Sequence, residues 1–182
     1  MSGRQVVATG SLTGNRGRSE VKMFKLPTET QWRQWAPLPL RLIIGYGFLA
    51  HGWAKLSRGP AGFAKLLEQI GAPLPEVTAW ASTLTEILGG LAILAGAFVA
   101  AVSVPMIVMM LVAMFTVHLR YGFSAINTIG LTPDGPQFGP PGYEVNLLYI
   151  AGLLALILGG AGPLSIDGLL PPRKRDPSDP PS

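Results

Sequence analysis

The sequence predicts an all-α integral membrane protein, a four-helix bundle with a short amphipathic outer helix and disordered tails. Three observations predict it. The chain of 182 residues is 48% apolar and only 13% charged, with a mean hydropathy of +0.39, which is too oily for a soluble domain of this size. Its apolar residues are gathered into long blocks separated by Gly- and Pro-rich breaks, the pattern of membrane-spanning helices joined by loops. Its basic residues gather mainly in the two tails, as topology requires of a membrane protein.

Composition also excludes several classes. There are no cysteines, so disulfides, iron–sulfur clusters, thiolate metal sites and dithiol exchange are absent, and the redox compartment stays undecided. The net charge is +4 and the pI near 9.7. No aromatic-rich basic module accompanies that charge, so no nucleic acid partner is expected.

Residues 1–36 are polar, basic and rich in Gly, Ser and Thr. They read as a disordered cytoplasmic tail. Trp32 and Trp35 suit the headgroup layer. Span one runs from about 38 to 56, with Pro37 and Pro39 at its start, where the missing N–H does no harm. Arg41 and Lys55 are expected to snorkel outward from its two ends. Between Ser57 and Glu76, Phe63, Leu66, Leu67 and Ile70 recur at helical spacing with Lys65 and Glu68 between them. This is the short amphipathic helix, lying on the membrane and ended by Gly71, Pro73 and Pro75.

From Val77 to Arg120 the chain is almost continuously apolar. As one helix it would make a rod of roughly 65 Å, about twice the bilayer core. It therefore holds two spans, about 77–95 and 102–119, with the turn among the small residues Gly96 to Ala101. Residues 121–142 form a Gly- and Pro-rich surface loop, a candidate lid. Span four covers about 143–162, and residues 171–182 form a second disordered tail. The membrane domain is thus residues 37–170. Ten Lys and Arg fall on the side of the two tails and four on the other, which places both termini in the cytoplasm and the protein in the plasma (inner) membrane as a multi-pass protein.

That topology gathers the polar residues. Glu86 is the only charged side chain between Val77 and Val117, and a carboxylate at such depth costs roughly 2.5–3.5 kcal/mol even on lenient scales. It lies roughly 13 Å below the outer end of span two. His51 and Lys55 lie one turn apart near the outer end of span one, His118 closes span three, and Tyr143, Glu144 and Asn146 open span four. All fall in the outer half, and the inner half of every span has almost nothing polar. Gly89 and Gly90, beside Glu86, and the small residues Ala151, Ala155 and Gly159 of span four are expected to let helices approach closely. Glu86 is then expected to be neutral or paired with Lys55 or a histidine.

The segments RLIIGYGFLAHGWAKL (41–56), WASTLTEILGGLAILAG (80–96), the histidine that ends span three followed by YGF (121–123), and GYEVNLLYIAGLLALILGGAGPLSIDGLL (142–170) together resemble the DoxX family. The resemblance covers residues 38–170. It implies a small four-helix membrane protein. The family includes, or is close to, the DoxD-type subunit of a thiosulfate:quinone oxidoreductase, and some members are described as parts of membrane-associated oxidoreductase assemblies. Most have no established activity, so the resemblance implies a family without a reaction. The missing cysteines weigh against sulfur chemistry through a protein persulfide.

The candidate residues carry bland readings beside the sharp ones. Glu86 is either a carboxyl that fixes helix register or a proton-handling group. His51 and His118 are either interfacial side chains or proton carriers for a quinone. Lys55 either snorkels or binds an anion. Tyr143, Glu144 and Asn146 either cap span four or line a cofactor site. No short metal-ligand spacing occurs, so no metal site is assigned. Three function classes follow. The first is a redox membrane subunit with a quinone cofactor, in which Glu86, His51 and His118 are the catalytic candidates and Lys55, Glu86, His51, Tyr143, Glu144 and Asn146 form the binding site. Its electrons would come from a protein partner, such as a soluble oxidoreductase, because no flavin or dinucleotide motif is visible. The second is a non-catalytic scaffold that recruits a soluble partner. The third is a small proton or weak-acid transporter, disfavoured because no inverted repeat is visible.

Overall fold

A computed structural model describes residues 32–169. The tail assignments for residues 1–31 and 170–182, including the basic Arg173 to Arg175, lie outside the described residues. Helix α1 (Pro37–Arg58) begins on a proline and ends where Gly59, at φ 83°, turns the chain into α2 (Pro60–Gln69). Gly71, at φ 74°, ends the second helix, and Ala64 and Leu67 form its buried face. Helix α3 (Pro75–Ala95) again starts on a proline. Gly96 then adopts φ 67°, and the N–H groups of Gly96 and Ala97 donate to the carbonyls of Ile93 and Ala92 at 3.1 and 2.8 Å. This paired closure satisfies carbonyls that a helix end otherwise leaves bare.

The turn between the two apolar helices is therefore shorter than expected. It occupies Gly96 to Phe98, and α4 (Val99–Ala113) starts three residues earlier than the small-residue run indicated. Pro105 sits inside this helix, which continues through a π-helical turn (Met114–His118) and a 3-10 turn (Leu119–Tyr121). Helix α5 (Glu144–Gly159) is the last long element.

The loop between α4 and α5 corrects the all-α expectation. Thr128–Thr132 (β1) and Gly135–Phe138 (β2) form an antiparallel hairpin with a bulge between Thr128 and Gly130. Leu131 pairs with Pro136 and Thr132 with Gly135, so Pro133 and Asp134 form the tip. Proline-rich composition hid the strands, because β2 has a proline at an edge position that a two-stranded sheet tolerates.

Helices α1, α3, α4 and α5 pack around one core of Ile44, Phe48, Ile93, Val99, Met106, Leu153 and Leu156. Helix α2 lies on α3 through Ala64, Leu67 and Ala79. The α1–α3 contact is closest at paired glycines: a Cβ on Gly90 would stand 2.8 Å from the Gly45 carbonyl oxygen, and one on Gly45 would stand 2.9 Å from that of Gly90. Only glycine lets the two backbones meet there. The small-residue stripe of α5 is corrected. Ala151, Ala155 and Gly159 are exposed, and Gly152 is the close-packed position, against Ile44. Leu153 and Leu156, both fully buried, set which face of α5 turns inward.

Two helices, Pro75–Ala95 and Val99–Tyr121, are long and apolar enough to cross a bilayer. Helix α1 has 22 residues but carries Arg41, Lys55 and Arg58. Helix α5 has 16 residues, roughly 24 Å at 1.5 Å per residue, less than the core of about 30 Å.

The end of the bundle opposite the hairpin holds a second correction. Arg41 does not snorkel; it is 1% exposed. Its guanidinium donates to five carbonyl oxygens: Ile93 (3.0 Å), Leu94 (2.7 Å), Ala161 (2.9 Å), Pro163 (3.2 Å) and Leu164 (3.1 Å). It thereby gathers carbonyls from the C-terminus of α3, where a cation is favoured at a helix end, and from the segment after α5. Asp167 does the complementary task, accepting the N–H groups of Phe98 and Val99 at 2.7 and 2.9 Å at the start of α4. That end is thus not empty of polar groups, as the sequence implied, but self-satisfied.

Candidate functional site

At the hairpin end, Lys55 on α1 faces Ser82 and Glu86, one turn apart on α3. The ammonium donates to Ser82 Oγ and Glu86 Oε1, each at 2.8 Å, and lies 4.2 Å from the centre of the Phe63 ring on α2. Two acceptors and a π-face account for the cation's bonding capacity. The helices can meet here because position 52 is glycine; a Cβ there would stand 2.9 Å from Glu86 Cβ.

Glu86 is only half satisfied. Its side chain is 6% exposed, and among the described residues Oε2 has no hydrogen-bond partner. Most buried polar atoms have one, and an orphan costs about 1–3 kcal/mol. The ion pair is therefore closed on one side and open on the other.

Lys55, Ser82 and Glu86 also line a cavity of about 410 Å³ bounded by all five helices. Its walls are predominantly apolar: Phe48, Leu67, Ile70, Met110, Ala113 and Val145 among them. Its polar lining includes His51, Lys55, Ser82, Glu86, His118 and Asn146, with the hydroxyl-bearing Thr78, Thr116 and Tyr149. An apolar chamber with a few convergent polar groups is the usual form of a small-molecule site.

Five of the seven sequence candidates meet in this cavity. His51, Lys55, Glu86, His118 and Asn146 line it, although they come from four helices. His118 sits at the end of the π-helical turn, with Nδ1 3.0 Å from the Pro141 carbonyl oxygen. A carbonyl only accepts, so Nδ1 carries the proton. Asn146 is 5% exposed and donates to the Met110 carbonyl at 3.3 Å, tying α5 to α4.

The remaining two candidates lie outside the cavity lining. Tyr143 packs edge-on against Phe123, with ring centres 5.5 Å apart. Glu144 accepts the Ala125 N–H at 2.8 Å. Both fasten the loop to the start of α5. Sequence reading missed Ser82, Phe63 and Tyr149, which stands edge-on to Phe48 at 5.3 Å. Ser82 had a legible signal, being one helical turn before Glu86; Phe63 was read only as part of an apolar face. Among the described residues, no three His, Asp or Glu side chains group into a metal-binding set.

Fold and site together define a small, mostly helical protein, two of whose helices are long and apolar enough to cross a membrane, with a ligand-sized cavity at one end of its bundle. The family model named DoxX matches residues 36–119, from the residue before α1 to the first residue of the 3-10 turn that follows α4. The hairpin and α5 lie beyond the matched residues. No curated protein and no solved structure matches the chain.

Proposed function

We propose that this membrane protein is a multi-pass plasma-membrane subunit, with cytoplasmic termini, that holds the headgroup of a lipid-soluble quinone in its outer-half cavity. Electrons would pass to or from a separate soluble oxidoreductase. One observation carries the reading: residues scattered over four helices place two histidines, an ion pair and an amide around a single apolar chamber. Quinone chemistry moves protons at ring oxygens, and imidazole and carboxyl groups at an apolar site suit that task. His51, His118 and Glu86 are the proton-handling candidates, and Lys55 and Asn146 complete the binding site.

Native mass spectrometry of the protein extracted in mild detergent, wild type beside Glu86→Gln, tests it. A bound quinone in the wild type that is lost in the variant supports the reading. An empty cavity in both, from membranes that contain quinone, overturns it.

A scaffold reading rests on a different observation. Ile126, Ile129, Leu131 and Phe138 of the hairpin region are all more than half exposed. A scaffold would use this surface to recruit its partner. Replacing residues 128–138 by a short Gly-Ser linker would then abolish partner recovery and leave cavity ligands unchanged.

A further inference from the structure

We infer that the occupant of the cavity carries an apolar chain, and that this chain leaves through the seam between α2 and α4, where Leu66 and Val112 decide what fits. The inference rests on the proposed function for the polar head of its ligand. Its own basis is the way two apolar cores meet.

Helices α1, α3, α4 and α5 share one core, against which Met109, Met110 and Tyr149 pack. Helix α2 has another, built with α3 from Ala64, Leu67 and Ala79, against which Phe63 and Ile70 pack. No residue of α4 belongs to the second core, and no residue of α2 to the first. The cavity lies in the seam between them. Phe63, Leu67 and Ile70 line it from one side, and Phe48, Met110 and Tyr149 from the other.

At two places the lining residues reach the surface. Leu66 on α2 is 48% exposed and Val112 on α4 is 54% exposed, and both line the cavity. On the other side, His51 on α1 and Val145 on α5 also line it and are exposed. That second side is closed one helical turn away. The Tyr149 hydroxyl occupies the place where a Cβ on Gly47 would stand, and its ring meets Phe48 edge-on at 5.3 Å. The α2–α4 side is walled instead by Phe63, Ile70, Met109 and Val112, which offer contact to methylene groups and no hydrogen bond. The Thr116 hydroxyl, one turn beyond Val112, is spent on the Val112 carbonyl at 2.7 Å.

Helix α2 is also the wall that can yield. It hangs between Gly59 and Gly71, at φ 83° and 74°, and a Cβ at either position would meet nothing within 4 Å. Such end positions absorb the backbone change of a hinged element. Its turn and cap hydrogen bonds stay within residues 59–72. What holds it to the bundle is the apolar contact with α3 and the Phe63 ring beneath the Lys55 ammonium, 4.2 Å away. A small tilt of α2 therefore widens the seam at little cost and admits a chain from the side.

The test photolabels the full-length wild-type protein, held in phosphatidylcholine nanodiscs, with a decyl-substituted benzoquinone that carries a diazirine in mid-chain. Peptide mass spectrometry locates the label that an excess of unmodified decyl-substituted benzoquinone suppresses. The expected result is suppressible label on residues 63–70 of α2 and 109–117 of α4 and the turn after it. Suppressible label elsewhere, as around His51 and Val145, overturns the seam and leaves the quinone-site proposal standing. No suppressible label overturns both. Leu66→Trp and Val112→Trp, at half-exposed positions, narrow the seam. Each is expected to weaken binding of the decyl compound by roughly tenfold, the worth of about two buried methylene groups. Binding of the same ring without its decyl chain is expected to stay within about twofold. Equal loss for both probes, or loss for neither, overturns the assignment of these two residues. The labelling uses the wild-type protein, so a variant that fails to fold leaves it decisive.

Discussion

Lys55 and Glu86, 31 residues apart in the chain, are joined at 2.8 Å through one carboxylate oxygen while the other has no partner among the described residues. The pair fastens α1 to α3 and leaves an acceptor without a partner beside the cavity. Removing the cation should therefore harm the protein more than removing both charges, because a lone buried carboxylate has no compensation. Lys55→Met should lower stability by about 2 kcal/mol, less than for a fully buried pair because Lys55 is partly exposed. Adding Glu86→Leu to Lys55→Met should restore most of it. Thermal unfolding in detergent of the two single variants and the double variant measures the coupling; simple additivity would show that the pair contributes nothing.

Arg41 at the opposite end should be intolerant of conservative change. Its planar fork serves five carbonyl oxygens drawn from α3 and the segment after α5, a set that the point charge of lysine cannot reach together. Arg41→Lys and Arg41→Met should each cost about 3 kcal/mol or more. Limited proteolysis should show the segment 160–169 released first. Wild-type protection in Arg41→Lys would mean that charge, not geometry, is what matters there.

The glycine contact between α1 and α3 gives a paired control. Gly90→Ala puts a Cβ against backbone atoms of Gly45 and Leu49, both at 2.8 Å, and should destabilise by about 2 kcal/mol. Gly62→Ala, in α2 with nothing within 4 Å of its Cβ, should stabilise by about 0.5–1 kcal/mol. Thermal unfolding that moved both the same way would contradict the packing at Gly90.

Filling the cavity should separate binding from folding. Ala113 lies in the cavity wall, and Ala113→Phe projects a ring into space that needs no repacking. Affinity for a decyl-substituted benzoquinone should fall by roughly tenfold or more, with the unfolding temperature within about 4 °C of wild type. Unchanged affinity would place the ligand elsewhere.

Much of the fold was legible because it rests on short-range chemistry. Pro37 marked a helix start and Gly71 a helix stop, and the turn was placed from Gly96 onward, since proline lacks the N–H that a helix start does not need and glycine tolerates a positive φ; Pro75, read as an end, instead opens α3. The two histidines, Lys55, Glu86 and Asn146 were legible as a set through topology: alternating helix directions bring alternate ends together. The hairpin was not legible, because its strands are short and its pairing is decided by partner residues across the turn rather than by alternation within either strand. Arg41 was misread for a related reason. From sequence, a cation near a helix end faces water; only the arrival of two other chain ends supplies the carbonyls that bury it.

By itself the sequence determined the apolar blocks, their breaks and the helical positions of the polar residues, because helical geometry converts spacing into depth and face. The tertiary structure alone decided how each polar group is satisfied. Arg41 is closed by five carbonyls, Glu144 by the Ala125 N–H, and Glu86 by Lys55 on one oxygen only. Hydrogen-bond satisfaction depends on which atoms lie within about 3 Å in space, and atoms brought together from separate helices leave no mark on local spacing.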